Sequence, residues 1–227
     1  MSESTTCRKS TIIATIFIAF MFLVFVPLVY AATEYKMADY WPLKVGSKWK
    51  YNDGSIEVVG SEEIDGINTF KIKDTGSCME GEDMSFFNDE NGFGGVLPNG
   101  DGTYQTSKLV EPYIEKGDET SVSGEDGGET FTITFTFKGL ANVNVPAGKF
   151  KKCLKFLVSV EGINEEGQDS YYTQYIYFAN GVGMVKHVRL KEVPEPEVDT
   201  GRGCIFGTDG FGTFSGVRTL KKYSLAD

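Results

Sequence analysis

Beyond an apolar leader, the sequence predicts an all-β domain: a curved antiparallel sheet or half-barrel of about nine to eleven strands, with little helix. Three observations carry that reading. Apolar residues recur with a period of two, turn-forming pairs punctuate the chain at roughly 8–12-residue spacing, and helical periodicity is scarce.

The alternation is clearest in residues 130–137, Thr-Phe-Thr-Ile-Thr-Phe-Thr-Phe. Successive strand side chains point to opposite faces, so Phe131, Ile133, Phe135 and Phe137 share one face and the threonines take the other. A helix would scatter the four and forfeit about 1.5–3 kcal/mol of burial for each. Leu154, Phe156, Val158 and Val160 make a second such face. Residues 171–178 are apolar or aromatic on both faces, which predicts a central strand covered on each side. Further strands are expected at 48–52, 56–63, 69–74, 83–88, 104–109, 184–192, 204–206 and 214–223.

Turn chemistry separates these runs. Asn52-Asp53-Gly54, Asp65-Gly66, Glu90-Asn91-Gly92 and Asn99-Gly100-Asp101-Gly102 tolerate the positive φ of hairpin turns. Residues 164–167 read as a longer hairpin loop. The acidic, glycine-rich segment 118–128 reads as a mobile loop. Gly92-Phe93-Gly94-Gly95 and residues 207–212 read as turns, because neither leads into a helix or a Gly-Lys-Ser/Thr ending that would cradle a phosphate. Pro194-Glu195-Pro196-Glu197 cannot continue a central strand and is expected to be an exposed excursion.

Residues 1–32 have the layout of a secretory signal peptide. Arg8 and Lys9 precede an apolar run over 11–30, and small residues follow at Ala31 and Ala32. Pro27 breaks a helix just before the exit, which favours cleavage. The run approaches the roughly 20 residues that span a bilayer, so an uncleaved N-terminal membrane anchor is the alternative. Both readings put residues 33–227, a single β domain, outside the cytoplasm, because the Arg8/Lys9 end stays inside. The expected location is periplasmic or extracellular. Cys7 precedes the apolar run, so a lipid-anchored start is not expected.

Removing Glu3, Arg8 and Lys9 from 32 acidic and 22 basic residues leaves 31 and 20, a balance of −11. Such a chain repels phosphate backbones and anionic headgroups, so nucleic acid is excluded as a partner and membrane contact is expected only through an uncleaved N-terminal segment. Cys78, Cys153 and Cys204 remain after the leader. An oxidising compartment permits one bridge among the three. Cys78–Cys204 is favoured, both lying in loop-like stretches after Thr-Gly, while Cys153 in a strand pattern behaves as a small apolar residue. No pair has the CxxC spacing of a zinc or thioredoxin-like site.

Three stretches stand together in order: Pro42-Leu43-x-x-Gly46-x-x-Trp49-x-Tyr51, Val145-Pro146-Ala147-Gly148-x-Phe150-x-x-Cys153, and Gly181-Val182-Gly183-x-Val185-Lys186. The set resembles a widespread group of uncharacterised bacterial exported β-proteins with PLxxGxxWxY, PAGxFxxC and GVGxVK motifs. It is distantly similar to periplasmic lipoprotein carriers of the LolA/LolB kind. The resemblance implies a half-barrel around an apolar cavity and no catalytic residues. The tail from Val193 onward lies outside it. The motif residues also suit fold-making: glycines for tight turns, Trp49, Tyr51 and Phe150 as core plugs.

Catalytic chemistry finds little support. His187, the only histidine, shares its strand face with Val185 and Arg189 and reads as a surface or cross-strand residue. Acidic clusters at Glu62-Glu63-x-Asp65, Glu80-x-Glu82-Asp83 and Asp89-Glu90 read as solvated turns. None fits an EF-hand register, and an irregular calcium loop over 83–91 is the lesser alternative. Tyr171, Tyr172, Tyr175 and Tyr177 read as core and cross-strand pairs, with ligand stacking as the alternative.

The expected function is a non-catalytic binding or carrier-like module of the cell envelope, for a lipid or other apolar or amphiphilic ligand. Its expected lining is Phe131, Ile133, Phe135, Phe137, Phe156 and Tyr175, with no metal and no cofactor. The alternatives are an envelope interaction protein with a filled core and a protein partner, and then a carboxylate-based hydrolase.

Overall fold

A computed structural model describes residues 33–75, 83–98, 103–126, 129–163, 169–193 and 217–226. The leader, the Cys78–Cys204 pairing, the expected strand at 204–206 and the excursion at 194–197 lie outside them. The described chain runs through β1 (Tyr35–Lys36), a 3-10 turn (Met37–Asp39), β2 (Lys48–Tyr51), β3 (Ser55–Ile64), β4 (Ile67–Asp74), β5 (Asp83–Asp89) and β6 (Gly92–Pro98). It continues through β7 (Tyr104–Val110), β8 (Tyr113–Ile114), β9 (Glu119–Asp126), β10 (Glu129–Val145), β11 (Gly148–Ile163), β12 (Asp169–Ala179), β13 (Gly183–Val193) and β14 (Val217–Ser224).

Twelve strands form one antiparallel sheet in the order β7-β6-β5-β4-β3-β2-β14-β13-β12-β11-β10-β9. Two meanders are thus joined where the last strand, β14, pairs with β2. The edge strands β7 and β9 approach one another, so the sheet is nearly closed into a barrel. Short β1 and β8 pair separately, Tyr35 opposite Ile114.

The predicted faces hold. Ile133, Phe135 and Phe137 of β10 and Leu154, Phe156, Val158 and Val160 of β11 are buried, with Phe137 opposite Phe156 in the ladder. Asp65 and Gly66 both take positive φ, as a two-residue hairpin turn requires. The β12 strand is central, between β11 and β13. Its two faces differ, however: Tyr172, Ile176 and Phe178 are buried, whereas Tyr171 is exposed and Tyr175 and Tyr177 are half-buried.

Two expected loops are strands. The segment read as turns at Gly92–Gly95 is the start of β6, and the segment read as a mobile loop at 118–128 contains β9. Their glycines hide the alternation because each makes room for a ring on the neighbouring strand. A Cβ on Gly94 would lie 2.3 Å from Phe87 Cζ and 2.3 Å from the Ser107 carbonyl oxygen. One on Gly124 would lie 2.4 Å from Phe131 Cζ. The outer face of β9 is joined to β10 by hydroxyl pairs, Ser121 with Thr134 and Ser123 with Thr132, each at 2.8 Å. Such polar cross-strand pairs leave no apolar signature in sequence.

Gly94→Ala is expected to lower stability by about 1–3 kcal/mol, because its methyl meets a buried ring and a backbone oxygen at once. Gly60→Ala, with nothing within 4 Å of the added Cβ, is the control. Urea midpoints of the two variants check this, and equal midpoints would count against the tight β5–β6–β7 approach.

Candidate functional site

The interior is filled by aromatic rings contributed from both meanders. Trp41, just after the 3-10 turn, stands 5.8 Å from Phe86, 5.2 Å from Phe93 and 5.4 Å from Phe178 between ring centroids. Phe135 lies 6.5 Å from Phe93 and 6.2 Å from Phe156, which in turn lies 5.4 Å from Phe137. These are edge and tilted aromatic contacts, each adding about 0.5–1.5 kcal/mol beyond burial. Ile133, Phe135, Phe137 and Phe156 are therefore closed over by the chain's own side chains, none more than 5% exposed.

The first and third sequence motifs meet at one end of this plug. Trp49 donates its indole N–H to the Val182 carbonyl, and Tyr51 donates its hydroxyl to the Met184 carbonyl at 2.8 Å. Gly183 has φ of 107°, and a Cβ there would lie 2.9 Å from the Trp41 ring and 3.0 Å from Trp49 Nε1. Glycine is required at that position on both counts. The second motif forms the β10–β11 turn, where Ala147 donates its amide to the Leu220 carbonyl at 3.0 Å. Cys153 is fully buried, and burial pushes its thiol up to about 11, so it is an unreactive apolar filler.

A polar cluster lies against the inner face of β12–β14. Arg218 of β14 makes a bidentate pair with Asp74 of β4, Nη1 to Oδ2 at 2.7 Å and Nη2 to Oδ1 at 2.8 Å. Its Nε lies 3.0 Å from Asp53 Oδ1, and its guanidinium covers the Tyr51 ring at 4.5 Å. Burial opposes the Arg218 charge, but the hydrogen-bonded Asp74 carboxylate more than offsets it and holds the cation. Beside it, His187 donates from Nε2 to Gln174 Oε1 at 2.6 Å, while Gln174 Nε2 is buried with no hydrogen-bond partner. His187 is thus a buried cross-strand residue rather than a surface one. Arg218, Asp74 and Gln174 were legible only as polar residues in phase with core positions, such as Arg218 two before Leu220.

An open groove of about 790 Å³ lies at the other end of the sheet. It is lined by the far ends of β9–β12 together with Gln105 of β7, so it straddles the seam between the edge strands. Phe131, Ile163 and Tyr171 supply apolar surface, and Glu125, Glu161 and Asp169 supply three exposed carboxylates. No motif marks these residues in sequence, because only strand pairing brings them together.

The six expected lining residues therefore divide three ways. Phe131 reaches the groove; Ile133, Phe135, Phe137 and Phe156 belong to the aromatic plug. Tyr175 faces away from them, since it pairs with Leu157 while Phe156 pairs with the inward Ile176. Among the described residues no three His, Cys, Asp or Glu side chains converge to hold a metal. The stretch 83–91 forms most of a β5–β6 hairpin, in which Asp89 accepts the Asn91 amide at 2.7 Å.

Burial, followed by the Arg218 and Arg189 cations, pushes the His187 pKa down to about 4. An unfolded histidine titrates near 6.5, so between these values the unfolded chain binds a proton that the folded chain refuses. The contribution is complete above about pH 6.5 and is lost as pH falls toward 4. His187→Gln is expected to flatten this part of the stability profile, removing up to about 3 kcal/mol of pH dependence. Urea midpoints at about pH 7, 5.5 and 4 check it; a variant as steep as wild type would contradict it.

No family model and no curated protein matches the sequence. Among solved structures, the chain is similar to a candidate lipoprotein from Parabacteroides distasonis ATCC 8503, at 14% identity over 81% of this chain and 97% of that one, with a TM-score of 0.45. It is also similar to a candidate exported protein with a YmcC-like fold from Bacteroides fragilis NCTC 9343, at 11% identity over 82% of this chain and 99% of that one, with a TM-score of 0.38.

Proposed function

We propose that the chain is an exported binding module of the cell envelope whose ligand seats in the groove at the open end of the sheet rather than in its interior. The leader at residues 1–32 supports export. The groove itself carries the ligand reading: about 790 Å³ of space bordered by Phe131 from the inward face of the strand ends and by Ile163, Tyr171, Glu125, Glu161 and Asp169 from the outward face. Small-molecule sites combine such apolar surface with a few polar groups that orient the ligand. Three carboxylates without a lysine or arginine in the lining select a cationic or donor-rich head, and the rings take an apolar body.

The filled interior supports a second reading, an envelope interaction module without a bound small molecule. The hydrolase reading gains a groove with three carboxylates in its lining. All three are exposed, without the apolar burial that sets a glycosidase acid apart from its partner.

Purified protein is expected to take up a fluorescent alkylammonium probe and to bind the corresponding fatty acid anion more weakly. Phe131→Ala is expected to weaken that uptake about tenfold or more, from the loss of one buried ring, while Tyr177→Ala on the outer wall leaves it unchanged. Absence of uptake, together with no extractable amphiphile in native protein by mass spectrometry, would favour the interaction module.

A further inference from the structure

The outer wall of the sheet carries a pattern that the net charge conceals. Two neighbouring rows of outward side chains cross β11, β12, β13 and β14 in register. One row is Leu157, Tyr175, Val188 and Val217; the other is Lys155, Tyr177, Lys186 and Thr219. Val217 is 43% exposed, and Leu190 nearby on β13 is 47% exposed. Lys155 Nζ sits 3.7 Å from the Tyr175 ring centroid and Lys186 Nζ sits 6.0 Å from that of Tyr177. These ammonium groups rest on aromatic faces, and among the described residues neither is within ion-pair distance of a carboxylate.

Exposed Lys221, Lys222 and Lys50 extend the same polarity along β14 and β2. Lys50 and Lys222 stand directly opposite one another across that ladder. Like charges in register destabilise a sheet, and an external anion relieves the repulsion.

We propose that this wall docks on an anionic bilayer surface. A soluble polyanion would need the lysines alone. The adjoining apolar row, half-buried at Leu157, Tyr175 and Val188 and exposed at Val217, with tyrosines between cations, is the side-chain mixture that the boundary between headgroups and acyl chains accepts. Lysines near an anionic leaflet are attracted to it individually, so the local row decides the contact even though the whole chain is acidic. Six residues along β11 separate Lys155 from Glu161, about 20 Å of strand, which holds the carboxylate-lined groove clear of the surface.

The test is lysine acetylation read by mass spectrometry on the full chain, mixed with vesicles of phosphatidylcholine alone or with added phosphatidylglycerol. The leader is common to both samples, so only the dependence on lipid composition counts. Acetylation of Lys155, Lys186 and Lys222 is expected to slow about fivefold or more when phosphatidylglycerol is present, and to recover in high salt. Lys108, ion-paired to Glu111 at 2.7 Å on the edge strand β7, is expected to react equally in both. In the double variant Lys155→Gln, Lys186→Gln, the slowing at Lys222 is expected to disappear. Equal rates in both vesicle types overturn the proposal, as does slowing by soluble polygalacturonate without slowing by vesicles.

Discussion

The structure depends on one joint. Strand β14 pairs with β13 on one side and β2 on the other, and without it the other eleven strands of the sheet would pair as two separate meanders. Arg218 fastens that joint from within, reaching back to Asp74 on β4 and Asp53 in the β2–β3 turn while covering Tyr51. A buried ion pair is weak evidence of net stability against an apolar alternative. Its geometry is nonetheless specific: a bidentate fork accepts one register, and removing either partner strands a charge in the interior.

The aromatic plug follows from the same joint. Trp41, Phe86 and Phe93 come from the first meander, and Phe135, Phe156 and Phe178 from the second. Neither set can bury itself without the other. Filling the interior this way leaves the groove at the open end as the space for a ligand, bordered by Phe131, the last ring of the β10 series, and by Glu125, Glu161 and Asp169 of β9, β11 and β12. The features are thereby separated along the strands: a closed core in the middle, a groove at one end, and a lysine–tyrosine wall outside.

Much of the architecture was legible in period-two patterning. The β10 and β11 faces, the Asp65-Gly66 turn and the buried role of Cys153 follow from residues that act locally. The strands β6 and β9 were not legible, because Gly94 and Gly124 serve rings on other strands and their own alternation vanishes. The site was less visible still. Tyr175 and Phe156 both read as lining, yet strand register puts them on opposite faces, and register is a property of the pairing rather than of either segment. Arg218, Asp74 and Gln174 lie far apart in the chain and meet only once the sheet is assembled.

Hydrogen exchange on Arg218→Met tests the joint most directly. The variant leaves Asp74 and Asp53 without their cation, a loss of about 3–5 kcal/mol. If β14 makes the two meanders one cooperative unit, amides of β3–β5 and of β10–β12 lose protection together and by the same free energy. If β10–β12 keep wild-type protection while β3–β5 open, the halves are independent and the account fails.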